Sequence, residues 1–466
     1  MSNSGQSTRR RFLGSTLEAV AAGSLAAPQI VSASALGRGA TPPSNRVALA
    51  IIGSGGRGIF EGKLYTTSDT CQIVAVCDPQ ERRRVGAKEA LEKVYGQRSP
   101  SGAYRGVRTY NDFRDVLLQR DIDAVYIATP DRWHVPITIA AVKAGKDAHT
   151  EKPLGVSIEQ DLATLKAVRK YGRIFQYGTE RRSTPDARHA VELVLNGRIG
   201  KVQKIYVVSP GSETGGSPTP VLPVPKGLDY DLWLGPAPEA PFCHDRCLVE
   251  GQRNGIFHIF DYAIGFIAGW AAHPLDQVQW WADHSGLAIP IRYEGTGKLP
   301  KRGLLNCAYQ WDLRCTYENG VVLHFMDLHT FQKYSEAPHP NLGRFGGPAV
   351  HNAAIFIGTE GWVAISYEKI ATEPAALVGS EIGPDEIHLQ KSDSRQLSWI
   401  ESVRTRKDPV SPVETAVQSD LISHLSDICV RTDRPIRWDP AKKTIVGDEA
   451  ARKMISRPMR MPWRLS

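Results

Sequence analysis

The run Val47-Ala-Leu-Ala-Ile-Ile-Gly53-Ser-Gly55-Gly-Arg-Gly58 constrains this chain more than any other segment, because few folds accept an apolar strand feeding directly into Gly-x-Gly-x-x-Gly. Gly53 allows the tight turn off the strand, Gly55 leaves room for the backbone to approach a pyrophosphate, and Gly58 lets the next helix close on the strand. The helix N-terminus then faces an anion. A second apolar run, Ile73-Val-Ala-Val-Cys-Asp78, ends in a carboxylate twenty residues after Gly58, the spacing expected for holding a ribose 2′-hydroxyl. Gly53, Ser54, Gly55, Gly56, Arg57, Gly58 and Asp78 together predict a nicotinamide dinucleotide site. Pro79 and Gln80 offer no cation to a 2′-phosphate, although Arg82, Arg83 and Arg84 come soon after, so NAD is expected over NADP.

Thr8-Arg-Arg-Arg-Phe-Leu-Gly14, a mildly apolar stretch of small residues and Ala33-Ser-Ala35 follow the order of a twin-arginine export signal. The expectation is export of the folded protein by the twin-arginine machinery to the periplasm or beyond, with Glu18 an atypical charge in the apolar part. Cleavage after Ala35 removes three arginines and one glutamate, lowering the formal charge from +8 to +6. The remaining charges are interspersed, with no basic stripe to suit a nucleic acid. No segment reaches the roughly 18 consecutive apolar residues of a membrane span. Seven cysteines from Cys71 to Cys429 form no dense disulfide framework. Cys243-His-Asp-Arg-Cys247 carries zinc-ligand types but lacks a second pair at a familiar spacing, so a loop disulfide or free thiols is expected there and no metal site is read.

From 41 to 172, apolar strands alternate with amphipathic helical stretches, the pattern of a doubly wound parallel sheet. Ala124–Ala128 is followed by Thr129-Pro130 and a helix over roughly 135–144. Ser157 and Gln160 are placed as a capping box for the next helix. Beyond Lys201 the texture changes to strands and a Pro/Gly/Ser-rich loop, predicting a second domain over 173–440 with an open, mostly antiparallel sheet. Glu318-Asn-Gly320 marks one hairpin and 353–366 a second. A helix is expected over 416–430, and 441–466 reads as a tail wrapping an existing surface.

Glu151-Lys152-Pro153 follows the strand-like Asp147-Ala-His-Thr150. A lysine at the carboxyl end of a parallel strand near the switch point faces the cofactor crevice, where it can bond a substrate hydroxyl and help take its proton. Burial and a nearby positive nicotinamide would both lower its pKa. An ordinary surface lysine is the alternative.

These residues resemble the Gfo/Idh/MocA oxidoreductases. The glycine loop, Asp78, Thr129-Pro130-Asp131-Arg-Trp-His134, Glu151-Lys152-Pro153, Gln176-x-Gly178 with Arg182, and Gly358-Thr-Glu-Gly361 match that family's markers in order. The ending, Trp438-Asp-Pro through Ser456-Arg-Pro-Met-Arg-Met-Pro-Trp463, resembles its exported branch. The resemblance implies a Rossmann domain, then an α+β domain supplying the substrate pocket and often the interface of a homo-oligomer. It places Thr129, Pro130, His134, Glu151 and Lys152 at the cofactor, and Arg182 and Asp276 toward substrate. Many members carry Asp-x-x-x-His-x-x-Asp; here the segment is Gly269-Trp-Ala-Ala-His273-Pro-Leu-Asp276, so the His matches and the first acid does not. His273 is therefore the candidate base, beside Lys152, with a backbone-bonded helix histidine as the alternative. Asp261 and Tyr262 lie shortly before and are candidates to replace the missing acid. Asp131 and Glu180 add negative charge where relatives carry Asn and Gln.

Outside the cytoplasm there is no dependable free NAD to exchange with, so an exported enzyme of this kind is expected to keep its cofactor and regenerate it in place. The first expectation is oxidation and reduction of a sugar, cyclitol or glycoside. The second is a redox-neutral glycosidase, proceeding by oxidation, elimination, hydration and re-reduction rather than by two carboxylates. The third is a carbohydrate-binding protein on a retired enzyme fold.

Overall fold

The computed structural model describes residues 41–99, 101–215, 220–247, 255–333, 351–366 and 369–465. The expected export signal lies outside the described residues. Thr41–Arg46 hold a short 3-10 turn, Pro43–Asn45. From Val47 onward the chain builds two sheets.

The first sheet has six strands: β1 (Val47–Ile52), β2 (Cys71–Cys77), β3 (Arg108–Tyr110), β4 (Ala124–Ile127), β5 (Asp147–Thr150) and β6 (Phe175–Tyr177). Their order is β3-β2-β1-β4-β5-β6 and every pairing is parallel, the doubly wound topology expected. The buried apolar residues of β1 and β4 explain why both sit centrally, covered on both faces. Strand order reverses between β1 and β4, so the loops leaving their carboxyl ends diverge and open a crevice there.

The domain boundary expected at 172 falls inside this sheet, since β6 pairs with β5 beyond it. Three residues are too few to show a strand period, so burial of Phe175 and Tyr177 had no sequence signal.

The helices that frame the crevice are α1 (Gly56–Tyr65), α2 (Asp131–Lys143) and α3 (Ile158–Tyr171). The expected capping pair is present at α3: the Ser157 hydroxyl accepts from the Gln160 N–H, and the Gln160 side chain accepts from the Val156 N–H. Gly172, at φ +58, ends that helix in the left-handed conformation. Helix α2 begins four residues earlier than expected, because Pro130 sits at its N-cap and Asp131 opens its first turn.

The second sheet has nine strands in the order β13-β12-β11-β7-β10-β9-β8-β14-β15. They are β7 (Val202–Ser209), β8 (Arg292–Lys298), β9 (Gln310–Thr316), β10 (Val322–Asp327), β11 (Ala353–Gly358), β12 (Trp362–Ile365), β13 (Ile370–Glu373), β14 (Ile436–Asp439) and β15 (Thr444–Val446). Only β7 with β10 is parallel, so the sheet is mostly antiparallel as expected. Both expected hairpins form, β9–β10 around Gly320 at φ +85 and β11–β12. Helices α4 (Ala272–His284), α5 (Arg395–Thr405) and α6 (Val413–Thr432) complete the framework.

Two features depart from a simple two-domain reading. Trp399, Ile400 and Val403 of α5 join the core of the first sheet with Leu49, Ile51 and Tyr126. The expected tail from 441 contributes β15 to the second sheet, and only then wraps the surface, with Trp463 edge-on to Trp133 at 4.6 Å. All seven cysteines are free and buried. No described helix is long and apolar enough to cross a membrane.

Candidate active site

A cavity of about 630 Å³ opens at the carboxyl ends of β1, β4 and β5. Gly53, Gly55, Gly56, Arg57 and Asp78 line one end; Thr129, Pro130, Asp131, His134, Glu151 and Lys152 line the middle; Gly269, Trp270 and His273 close the other.

The glycines are used as their spacing implied. Gly53 has φ +90, and a Cβ there would stand 2.5 Å from the Ala128 carbonyl oxygen. A Cβ on Gly58 would stand 2.0 Å from the Gly53 carbonyl oxygen, so only glycine lets α1 approach β1 this closely. Ser54 and Gly58 shape the loop from behind instead of lining the cavity. The Asp78 carboxylate accepts from the N–H of Ser54 (3.0 Å) and of Gln80 (2.9 Å). Burial pushes its carboxyl up, against the Arg83 guanidinium and these two N–H groups. Arg83 lines the same end of the cavity.

Ser54 Oγ and Thr129 Oγ1 are buried without a hydrogen-bond partner, one on the glycine loop and one on the turn after β4. Buried hydroxyls are rarely left so, and a ligand rich in phosphate, hydroxyl and amide groups would satisfy that of Thr129, which lines the cavity. The residues present fit a dinucleotide, with Gly53–Arg57 toward its phosphates, Asp78 toward a ribose and Thr129, Pro130 and Lys152 toward the other end.

Lys152 is half-buried, and its ammonium donates to the Gly269 carbonyl at 2.5 Å and lies 5.3 Å from the Trp270 ring centroid. Burial lowers its pKa from the ordinary lysine value, opposed by Glu151 and Asp131. His273 sits at the start of α4 on the same wall. Burial, then the charges of Lys152 and Arg181, push its imidazole well below the usual range, so the ring is neutral at neutral pH. Asp131 is buried 3% exposed on the same wall, and burial pushes its carboxyl up to about 6 against the pull of His134 and Lys152.

His134 lines the cavity and joins its two loops, with one ring nitrogen 2.8 Å from the Thr129 carbonyl and the other 2.6 Å from the Pro153 carbonyl. Behind the lysine lies a charged cluster that local sequence does not reveal. Arg57 contacts Glu61 (3.0 Å), Glu151 (3.2 Å) and Glu180 (3.5 Å), while Arg395 of α5 meets Glu61 at 2.7 Å and Glu151 at 3.6 Å. Burial raises the Glu151 carboxyl, but Arg395 and Arg57 outweigh it and hold it down at about 2.

Four expected site residues lie elsewhere. Asp261 is exposed and does not line the cavity. Tyr262 is buried beneath Arg132, whose guanidinium is sandwiched between Tyr262 (4.2 Å) and Trp233 (4.4 Å) and donates to the Leu234 carbonyl. Its hydroxyl accepts from Arg246. Tyr262 thus supports the first turn of α2, and neither residue replaces the acid missing at Gly269. Arg182 and Asp276 form a buried ion pair at 2.9 Å, with Thr179 also donating to the carboxylate. A guanidinium this deep needs a carboxylate of its own, so both groups are consumed by packing α4 and do not reach the cavity. Glu180 is a partner of Arg57 and likewise does not line it. The sequence reading missed Trp270 as the aromatic facing Lys152, and Phe257 and Phe266 as cavity walls beside Trp233.

A glycine loop, a carboxylate at the end of β2 and a lysine–histidine wall around one switch-point crevice define a dinucleotide-dependent oxidoreductase architecture. The profile described as oxidoreductase family, NAD-binding Rossmann fold, matches residues 47–179, and that of the family's C-terminal alpha/beta domain matches 212–337 and 383–465. The chain belongs to the Gfo/Idh/MocA oxidoreductase family. It is 32% identical over 163 residues to Glycosyl hydrolase family 109 protein 2 of Shewanella sp. (strain ANA-3), a stretch covering 33% of this chain and 35% of that protein. It is 29% identical over 160 residues to D-glucoside 3-dehydrogenase of Escherichia coli (strain K12), covering 34% and 42%. The match therefore spans less than half the length of these relatives. Among solved structures, the oxidoreductase domain protein from Kribbella flavida superposes with a TM-score of 0.58 at 18% identity, covering 84% of this chain and 98% of that one.

Proposed function

We propose that this protein oxidises a secondary hydroxyl of a sugar, cyclitol or glycoside, using a tightly held NAD in preference to NADP, after export by the twin-arginine route. The observation that carries the reading is the convergence of Lys152, His273 and the glycine loop on one cavity. When bound, the nicotinamide supplies acceptance of a hydride from the substrate carbon. The chain's own residues manage the rest. Lys152 is positioned to bond the reacting hydroxyl, and neutral His273 beside it accepts the proton as the carbonyl forms. Trp270, Trp233 and Phe257 offer apolar faces for a ring.

A second reading is a redox-neutral glycosidase. Oxidation to a keto sugar acidifies the neighbouring C–H, the aglycone leaves by elimination, water adds, and the carbonyl is reduced back. Asp131 favours this reading, because a buried carboxyl with a pKa of about 6 can both take and return a proton near neutral pH. The name of the Shewanella relative is in keeping with it.

The first test is mass spectrometry of small molecules released on denaturing the purified protein. Near one NAD per chain is expected, and none would overturn the captive-cofactor reading. Incubation with glycosides then separates the alternatives: free sugar released without net NADH identifies the glycosidase, and a keto sugar identifies the dehydrogenase.

A further inference from the structure

Behind the loop that carries Lys152 lies a second cluster that the cavity does not use. Asp161 on α3, with Asp420 and His424 one turn apart on α6, place their ligand atoms within 4.8 Å of one another, and all three side chains are buried. Asp420 is well supplied, accepting from the Tyr177 hydroxyl and from the Leu154 N–H. Asp161 differs. It is 0% exposed, yet neither carboxylate oxygen has a hydrogen-bond partner. Its Oδ2 is 3.1 Å from His424 Nε2, but that nitrogen too makes no hydrogen bond of proper geometry. A buried carboxylate left this way is costly unless a cation meets it. The backbone makes room for it: a Cβ at Gly155 would stand 2.5 Å from Asp161 Oδ1, so the loop after Lys152 is pressed against the carboxylate.

We propose that Asp161, Asp420 and His424 form a structural site for a divalent transition-metal ion of the zinc or manganese kind. Two carboxylates and one neutral imidazole balance the charge of a dication. His424 turns its Nε2 toward the cluster, 3.1 Å from Asp161 Oδ2, and an imidazole nitrogen is a common ligand of such ions. Arg457, the nearby cation that also bears on His424, donates to the Phe260 carbonyl at 2.6 Å. Ligand atoms about 2.0–2.2 Å from a four-coordinate ion stand ~3.4 Å apart, so shifts of under about 1 Å per group close this cluster onto one ion. Calcium, which takes about 6–8 oxygens, finds too few here. The ion would tie α3 to α6 directly beneath Leu154, two residues from Lys152, and so brace the loop that presents the lysine. The ligands escape sequence reading because Asp161 is far along the chain from the Asp420-x-x-x-His424 pair.

The test is metal content of the purified full-length protein by inductively coupled plasma mass spectrometry, as isolated, after dipicolinate treatment, and after incubation with Zn²⁺ or Mn²⁺. The expected result is near one ion per chain, loss of about 5 °C or more in thermal midpoint on stripping, and recovery on adding the ion back. Asp161→Asn and His424→Gln should each abolish stoichiometric binding. Co²⁺ substitution of the unmutated protein, read by its visible absorption, gives a measurement independent of whether the variants fold. Absence of bound metal in both isolated and reconstituted protein, with a thermal midpoint indifferent to chelator and ions, would overturn the site and leave a cluster that shares a proton. None of these readouts depends on the proposed activity.

Discussion

The Lys152 ammonium donates to the carbonyl of Gly269, the residue standing where the resemblance predicts an acid. Lys152 thus meets a neutral dipole at this position, and burial acts on its pKa with less opposition than a carboxylate there would provide. The position accepts a side chain, since the nearest atom to a Cβ on Gly269 is Phe266 Cδ1 at 3.6 Å. Gly269→Asp should therefore fold, favour charged Lys152, and move the limb of kcat/KM set by the Lys152 ionisation upward by about 1 pH unit. Gly269→Ala should leave that limb in place. Lys152→Ala should lower kcat/KM by ~10²–10⁴-fold while retaining bound dinucleotide, measured on the same preparation.

Asp131 gives a pH signature of its own. Its carboxyl is raised to about 6 by burial, so the folded protein favours the protonated form. The stability this supplies is fully present below the ordinary value of 3.8 and is lost as pH rises through about 6. The shift corresponds to about 3 kcal/mol at most. Asp131→Asn should then be more stable than the parent at pH 7.5 and nearly equal to it at pH 4, as read by denaturant unfolding. If Asp131 moves the proton in an elimination, the variant also loses the kinetic ionisation near pH 6; if glycoside turnover keeps that ionisation, the assignment fails.

What was legible in the sequence was mostly local. The glycine loop, the Ser157/Gln160 cap and the Glu318-Asn-Gly320 turn each depend on residues a few positions apart, and each formed. Lys152 was legible because a strand end at a switch point has a known direction. The ion pair of Arg182 and Asp276 was not legible because a polar residue that satisfies a distant polar residue has the same local sequence as one awaiting a ligand. Tyr262 has the same history, its ring being occupied by Arg132. Arg395 was invisible for the converse reason: nothing near it shows that α5 returns to the first sheet and places a guanidinium behind Glu151.

Arg395 is accordingly a positioning residue for the lysine loop, and its removal should be severe. It pairs with Glu61 and Glu151 while 3% exposed and donates to the Gly178 carbonyl, so Arg395→Met leaves two buried carboxylates with Arg57 as their remaining cation, beside the Tyr126 hydroxyl and the Gln396 amide. A loss of roughly 3–5 kcal/mol is expected in urea unfolding. The folded-state pKa of Glu151, about 2, lies below its ordinary 4.5, so its contribution is present above 4.5 and lost as pH falls toward 2. The variant should therefore lose most of its disadvantage in acid. Arg395→Lys should recover little, because one ammonium cannot reproduce contacts to both carboxylates and the carbonyl. A role beyond stability would appear as a fall in kcat at unchanged KM under conditions where the variant is fully folded.

Cofactor choice turns on Asp78 and Arg83 at the far end of the cavity. The Asp78 carboxylate is oriented by two backbone N–H groups, and in the proposed reading it would repel a 2′-phosphate and bond a 2′-hydroxyl. Arg83 lines the same end and supplies the cation that such a phosphate needs, but Asp78 sits against its charge. Asp78→Ser should thus weaken NAD retention by ~10-fold or more and raise the NADP share of the bound dinucleotide. Adding Arg83→Ala to that variant should remove the gain in NADP without restoring NAD. Mass spectrometry of dinucleotide released from each variant, after growth under identical conditions, reads both effects; an unchanged NAD content in Asp78→Ser would show that the carboxylate does not select the cofactor.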